Sequence, residues 1–247
     1  MEILGVDIGG SGVKGAPVEL DAGELAGERM RIATPEPSTP ENVLAAVAKI
    51  VDHFSWDGPI GCGFPGVVRG GRVLTAANLD RSWLGTDLRD ALATATACPA
   101  TVLNDADAAG LAEIRYGAGR GRRGVVLMLT FGTGIGSALF IDGRLVPNTE
   151  FGHLEVRGKT AEARASDRVR EERELTWKKW AERIDELLVR LNLHLWPDLV
   201  ILGGGVSKKH DRFIPLLTTP IEIVPAELRN QAGIVGAALA ARDLSEL

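Results

Sequence analysis

The chain has 247 residues, 45% hydrophobic and 25% charged, with a formal net charge of −5. These proportions describe a folded globular protein rather than a disordered one, and the acidic balance excludes the whole molecule as an obvious nucleic-acid binder. Two cysteines are too few for a disulfide framework or a four-cysteine zinc site, no apolar run reaches the ~18 residues that span a bilayer, and no secretory leader opens the chain, so a cytoplasmic protein with no membrane partner is expected.

Glu2 to Ile8 reads as a buried strand ended by Gly9-Gly10-Ser11-Gly12. Strand pattern resumes from Val13 to Leu20, which places the glycines in a hairpin turn. Leu25 to Thr34 fits a third strand. Pro40-Glu41 opens a helix through about Phe54, with Val43, Ala46, Val47, Ile50 and Val51 on one face. A short strand follows from Pro59 to Phe64, then a small ribbon around Gly70-Gly71, then a helix over Asp87 to Ala95. Ala100 to Leu103 is a strand running into Asn104-Asp105 and a helix that ends near Gly117. Gly124 begins a second round: an apolar strand from Val125 to Thr130, a turn at Phe131-Gly132-Thr133-Gly134, and a strand from Ile135 to Ile141. The pattern of strand, glycine turn and strand thus occurs twice, as in two similar halves. Trp177, Trp180, Ile184, Leu187, Leu188, Leu191 and Leu195 carry helical spacing with one buried face. Asp198 to Leu202 is a strand leading through Gly203-Gly204-Gly205 into a helix around Ser207 to Leu217. A last strand covers Ile221 to Val224, and a last helix Ile234 to Arg242. The expected fold class is α/β with mixed sheets.

Three glycine clusters follow apolar strands, at Gly9–Gly12, Gly132–Gly134 and Gly203–Gly205. Glycine lets backbone N–H groups converge on an anion, and Ser11, Thr133 and Lys14 add donors, so phosphate binding is expected; any one cluster could equally be a plain turn. The spacing matches neither a P-loop nor the dinucleotide fingerprint, so a phosphate held between two lobes is expected. Asp7 ends the first strand beside its turn. A carboxylate there would repel phosphate unless a cation lay between them, which suggests Mg²⁺ held directly or through water; the alternative is an Asp bonding turn amides. Asn104-Asp105 sits where α/β sheets bind ligands, and an Asp so placed can take a proton from an attacking hydroxyl, though the position equally suits a helix cap. Glu150 and His153 are three residues apart and, with Glu162, could bond several hydroxyls of one sugar. Arg120, Arg122 and Arg123 form a basic cluster with no acid nearby in sequence. With Lys208 and Lys209 they are candidates for steering a polyanion, or else solubilising charge. The charged stretch from Asp167 to Glu186 reads as a solvated helix face.

These residues also carry a family resemblance. Leu4-Gly5-Val6-Asp7-Ile8-Gly9-Gly10-Ser11-Gly12-Val13-Lys14-Gly15 resembles the first phosphate motif of the repressor–ORF–kinase (ROK) sugar kinases. Phe131-Gly132-Thr133-Gly134-Ile135-Gly136 resembles their second, and Gly203-Gly204-Gly205-Val206-Ser207 their adenosine-end motif. Gly63-Phe64-Pro65-Gly66-Val67 and Ala77-Asn78-Leu79 are similar to the sugar-side loops, Asn104-Asp105-Ala106 to the catalytic pair, and Glu150-Phe151-Gly152-His153 to the sugar-binding segment. Within the family, the stretch Gly9–Val18, the Trp-rich helix and the tail Pro225–Gly233 resemble the bacterial polyphosphate glucokinases.

The resemblance implies an actin-like ATPase (ribonuclease H-like) fold, with two lobes around a central cleft: residues 1–104, onto which the carboxyl-terminal helix can pack back, and residues 105–247. It implies transfer of a terminal phosphoryl group from inorganic polyphosphate, and from ATP, to the 6-hydroxyl of glucose, with Mg²⁺, in a homodimer. The alternatives are a strictly ATP-dependent glucokinase, glucomannokinase or other hexose kinase, and a sugar sensor without catalysis. Asp105 would be the base. Gly66, Asn78, Asn104, Asp105, Glu150, His153 and Glu162 would bind the sugar, with Glu162 placed by matching Ala161–Ser166 to the family's Cys-Leu-Glu-Ala segment. Gly9, Gly10, Ser11, Gly12, Lys14, Thr133, Gly134, Gly204 and Gly205 would bind the donor, and Asp7 the metal. Gly152 to Ser166 lacks the three cysteines that bind zinc in many relatives, so no zinc is expected. No helix-turn-helix precedes the first motif, so DNA binding is not expected.

Overall fold

The structure, a computed structural model, describes residues 1–76 and 78–242. Ala77, counted above in the Ala77-Asn78-Leu79 loop, lies outside the described residues. The chain forms two compact units: Met1–Ala112 with the chain from Gln231 onward, and Glu113–Asn230. The boundary falls inside the helix that follows Asn104, not before it.

In the first unit, β1 (Glu2–Gly9) and β2 (Gly12–Glu19) form an antiparallel hairpin whose two turn residues are Gly10 and Ser11. The expected third strand is split into β3 (Glu24–Leu25) and β4 (Met30–Ile32), both paired to β2. Helix α1 (Pro40–His53) starts with proline in its first turn and buries the five predicted apolar residues. Strand β5 (Ile60–Phe64) pairs parallel with β1, and the β6 (Val68–Arg69) and β7 (Arg72–Val73) ribbon follows. Helix α2 (Leu88–Thr96) is capped by the Asp87 side chain, which accepts from the Asp90 amide. Strand β8 (Ala100–Asn104) pairs parallel with β5 and runs directly into α3 (Asp105–Tyr116). The register sets Asp7 beside Gly63, and Phe64 beside Asn104. The carboxyl ends of three parallel strands therefore carry the first glycine turn, the Gly63–Gly66 loop and the Asn104-Asp105 pair along one edge of the sheet.

The second unit repeats this plan. Strands β9 (Val125–Phe131) and β10 (Ile135–Ile141) form an antiparallel hairpin around Gly132–Gly134, extended by β11 (Arg144–Val146). The small hairpin β12 (Glu155–Val156) and β13 (Lys159–Thr160) leads into the short helices α4 (Ala161–Ala165) and α5 (Asp167–Glu172). Helix α6 (Trp177–Leu195) buries Trp180, Ile184, Leu187, Leu188 and Leu191. Strands β14 (Leu199–Gly203) and β15 (Ile223–Pro225) complete a sheet of order β11-β10-β9-β14-β15, with β14 parallel to both neighbours. The helix expected from Ser207 to Leu217 is instead two 3₁₀ segments, Gly205–Arg212 and Ile214–Leu216. A non-helical Lys209 and the proline at the start of the second segment explain the break. Helix α7 (Ala232–Ala240) then returns to the first unit. Both cysteines are buried free thiols, and no helix among the described residues is long and apolar enough to cross a membrane.

Candidate active site

In the first unit the β1–β2 turn is tied down from outside. Thr34 Oγ1 donates to the Gly9 carbonyl at 2.5 Å, and Arg31 Nη2 donates to the Ser11 carbonyl at 2.8 Å. With its carbonyls held this way, the turn keeps its amides in one arrangement. Arg31 also sets a guanidinium against Gly12, where an added Cβ would come 2.9 Å from its Nε. Neither Arg31 nor Thr34 stands out in the sequence, because only the pairing of β4 with β2 brings them to the glycines. Lys14 lies opposite Asp7 in the hairpin register, and its ammonium contacts Asp7 Oδ2 at 3.1 Å. The cation required beside Asp7 is thus supplied partly by the chain itself.

At a metal site here the protein would offer one carboxylate, that of Asp7; no cluster of three or more His, Cys, Asp or Glu side chains suited to a metal occurs among the described residues. That donor set fits Mg²⁺, which takes most of its ligands from phosphate and water and as few as one carboxylate from protein. Asp7 Oδ2 is engaged by Lys14, which leaves Oδ1 for such a role.

Asn78 stands over the turn: a Cβ on Gly10 would approach the Asn78 Cβ to 3.1 Å. A residue expected at the sugar and one expected at the phosphate are therefore neighbours. Asn104 is almost fully engaged. Its Oδ1 accepts from the amides of Ala106 (2.8 Å) and Asp107 (3.0 Å), and its Nδ2 donates to the Gly66 carbonyl at 3.1 Å. The cap alternative thus describes Asn104, which opens α3 and holds the Gly66 loop; one amide proton remains for a ligand. Gly66 approaches the Thr75 carbonyl so closely that a Cβ would lie 2.1 Å from it, which fixes that loop against its neighbour. Asp105 follows, half-buried, with Oδ1 accepting from the Ala106 amide at 2.8 Å and its Cα 3.5 Å from the position of a Cβ on Gly63.

In the second unit Glu150 precedes a 3₁₀ turn, Phe151–His153. Ser137 of β10 holds this segment by donating to the Thr149 carbonyl (2.8 Å) and accepting from the Phe151 amide (3.0 Å). Gly152 lies flat on β10, where a Cβ would strike the Ile135 carbonyl at 2.1 Å. His153 is bracketed by two carboxylates, with Nδ1 3.7 Å from Glu150 and Nε2 3.8 Å from Glu162. Glu162 comes from the first turn of α4, which Thr160 caps. Its Oε2 lies 2.7 Å from where a Cβ on Gly134 would be, so a side chain at Gly134 would displace it. The arrangement in the first unit recurs here, with a residue expected at the sugar against a glycine of a phosphate turn. Partial burial raises the Glu150 pKa above its ordinary value, Glu162 adds to the rise, and His153 opposes it.

The third glycine cluster needs glycine at its centre: Gly204 has φ +84°, and a Cβ there would meet the Phe131 carbonyl at 2.3 Å, whereas a Cβ on Gly205 would meet nothing within 4 Å. The basic cluster at Arg120–Arg123 requires a correction. Arg122 is paired with Glu222, an acid distant in sequence that β15 brings near, so the cluster does have an acid beside it.

Residues 3–168 match the model of the ROK family. This chain is a ROK protein. Its relatives include a polyphosphate glucokinase of Mycobacterium tuberculosis, 53% identical over 238 residues, a match covering 96% of this chain and 90% of that one. Among solved structures, an inorganic polyphosphate/ATP-glucomannokinase from Arthrobacter sp. strain KM is 48% identical with a TM-score of 0.95, covering 98% of this chain and 99% of that one. A ROK family glucokinase from Streptomyces griseus, solved with glucose and AMPPNP, is 26% identical with a TM-score of 0.85, covering 98% of this chain and all of that one (100%). The α/β, mixed-sheet fold of this ROK chain is the actin-like ATPase fold that its motifs imply.

Proposed function

We propose that this ROK protein transfers the terminal phosphoryl group of inorganic polyphosphate, and of ATP, to the 6-hydroxyl of glucose. One observation carries the catalytic part: in each unit a glycine turn that would bind phosphate touches a residue that would bind sugar, Gly10 with Asn78 and Gly134 with Glu162. The choice of donor follows the relatives at 53% and 48% identity.

In this mechanism Asn78, the remaining amide proton of Asn104, Glu150, His153 and Glu162 orient the sugar hydroxyls. Asp105 accepts the proton of the 6-hydroxyl as that oxygen bonds to the terminal phosphorus. The bond from this phosphorus to the bridging oxygen breaks, and the donor leaves one phosphate shorter, carrying the electron pair. Amides of Gly10, Ser11, Gly12, Thr133 and Gly134 bond the phosphate oxygens, and Gly204 and Gly205 serve the far end of the donor. Mg²⁺, held at Asp7 directly or through water, would supply neutralisation of phosphate charge. A homodimer and a cytoplasmic location belong to the same proposal, and sedimentation of the purified protein reads the first.

The deciding experiment is glucose 6-phosphate formation with Mg²⁺ and either long-chain polyphosphate or ATP as sole donor. Turnover with both is expected. Turnover with ATP alone would reduce the protein to an ATP-dependent glucokinase, and tight glucose binding with no product from either donor would make it a sensor.

The state of Glu150 gives a pH prediction. A carboxylate that accepts hydroxyl protons fails once protonated, and its raised pKa brings that failure to a higher pH. The kcat/KM for glucose should therefore fall on the acid side with an inflection above 4.5, the ordinary Glu value. Glu162→Gln removes a neighbouring negative charge and should move that inflection down. An inflection that stays in place would separate Glu150 from the profile.

A further inference from the structure

Long-chain polyphosphate extends beyond the terminal phosphates that glycine turns can hold, and its remaining charges need somewhere to lie. The second unit carries a cationic surface that leads away from its phosphate turn. The Arg168 amide donates to the Gly132 carbonyl at 3.1 Å, which joins the start of α5 to the turn itself. One helical step on, the Arg170 guanidinium lies over the Trp177 ring at 4.4 Å. Lys209 Nζ and Arg212 Cζ, on the 3₁₀ segment after Gly204-Gly205, each lie 5.9 Å from the centre of that same ring. Three cations from two chain segments, α5 and the 3₁₀ segment, thus converge on one indole.

Their pairing differs. Arg170 is held by Asp167 at 2.7 Å and Glu171 at 3.0 Å and is only 13% exposed, so it belongs to the scaffold. Arg168 faces Glu172 at 3.9 Å, near the limit of an ion pair. Lys208, Lys209 and Arg212 are exposed and make no ion pair with the described residues. Unpaired positive charges brought together on a molecule of net charge −5 repel one another, and a polyanion relieves that repulsion. The contrast with Arg122, whose charge Glu222 already meets, separates this surface from the Arg120–Arg123 cluster.

We propose that Lys208, Lys209 and Arg212, approached over Arg168, bind the distal phosphates of long-chain polyphosphate while its terminal phosphates occupy the glycine turns. This rests on the donor proposed above. Such a track is read by charge and not by shape, so it would act on chain length and respond steeply to salt, as polyanion binding does.

The test is KM for polyphosphate as a function of chain length and salt, in the wild type and in Lys209→Glu/Arg212→Glu. The variant should raise KM for long chains by about tenfold, change KM for tripolyphosphate less than about twofold, and flatten the salt dependence. The charge-conserving pair Lys209→Arg/Arg212→Lys should restore long-chain KM, which separates charge from packing against Trp177. Equal loss on long and short chains, or wild-type behaviour at every length, would overturn the track while leaving the donor proposal standing. No turnover of the wild type with any polyphosphate would overturn both.

Discussion

Asp105→Asn should lower kcat by about 10³ or more with either donor, while KM for glucose changes only several-fold. The substitution removes the proton acceptor while keeping the size and shape of the side chain. Asp105 stands at the first position of α3, where its Oδ1 accepts the Ala106 amide at 2.8 Å, and an asparagine oxygen can keep that bond. The start of the helix rests mainly on Asn104, whose Oδ1 takes two amides and whose Nδ2 holds Gly66. The adjacent residues should therefore separate by experiment. Asn104→Ala removes the cap and the tie to Gly66, so it should cost about 1–2 kcal/mol of stability and weaken glucose binding. Asp105→Asn should melt near the wild type and fail in chemistry. Near-wild-type turnover of Asp105→Asn, measured on folded protein by glucose 6-phosphate release, would remove Asp105 as the base.

The division of labour between these two residues shows what the sequence could and could not carry. Apolar period placed α1 and α6 with their buried faces, because a helix that packs on one side must repeat its apolar residues at that spacing. Glycine clusters after apolar strands located all three turns, because few other residues allow the backbone approach seen at Gly204. The cap geometry of Asn104 was available as an alternative from position alone. What the sequence did not contain was which residues meet from far apart. Arg31 reaches Ser11 only through the register of β4 on β2, and Glu222 reaches Arg122 only because β15 pairs with β14. The short helices α4 and α5 span five and six residues, too few for an apolar period to emerge, so Glu162 was placed by resemblance and not by pattern. The Asp167–Glu186 stretch read as a solvated face, yet Asp167 and Arg170 form a pair that is less than 20% exposed. A dense mixture of charges does not say which of them turn inward.

Gly236→Ala should be among the most destabilising single substitutions in the first unit, at about 3 kcal/mol or more, for a reason that ties the carboxyl-terminal helix to the helix that begins with Asp105. Helix α7 reads Ala-Gly-Ile-Val-Gly-Ala-Ala-Leu-Ala, and its small residues let backbone meet backbone. A Cβ at Gly236 would lie 1.6 Å from the carbonyl oxygen of Ala108, on the helix that begins with Asp105. The same helix meets β5, where a Cβ on Gly61 would lie 1.7 Å from the Ala237 carbonyl, and β1, where one on Gly5 would lie 2.0 Å from the Ile234 carbonyl. No rotamer change relieves a clash with main-chain atoms, so α7 and α3 must separate. That motion opens packing along α3 and shifts Asp105 with it. The melting temperature should fall by about 6 °C or more, at roughly 2–4 °C per kcal/mol for a chain of this size. Well below that temperature, kcat should still be reduced. Gly27→Ala is the control, since nothing lies within 4 Å of a Cβ there and the position is free of positive φ; it should melt with the wild type. A Gly236→Ala protein that melts within a degree of the wild type would mean that α7 can slide without cost, and that its contact with α3 does not hold Asp105 in place.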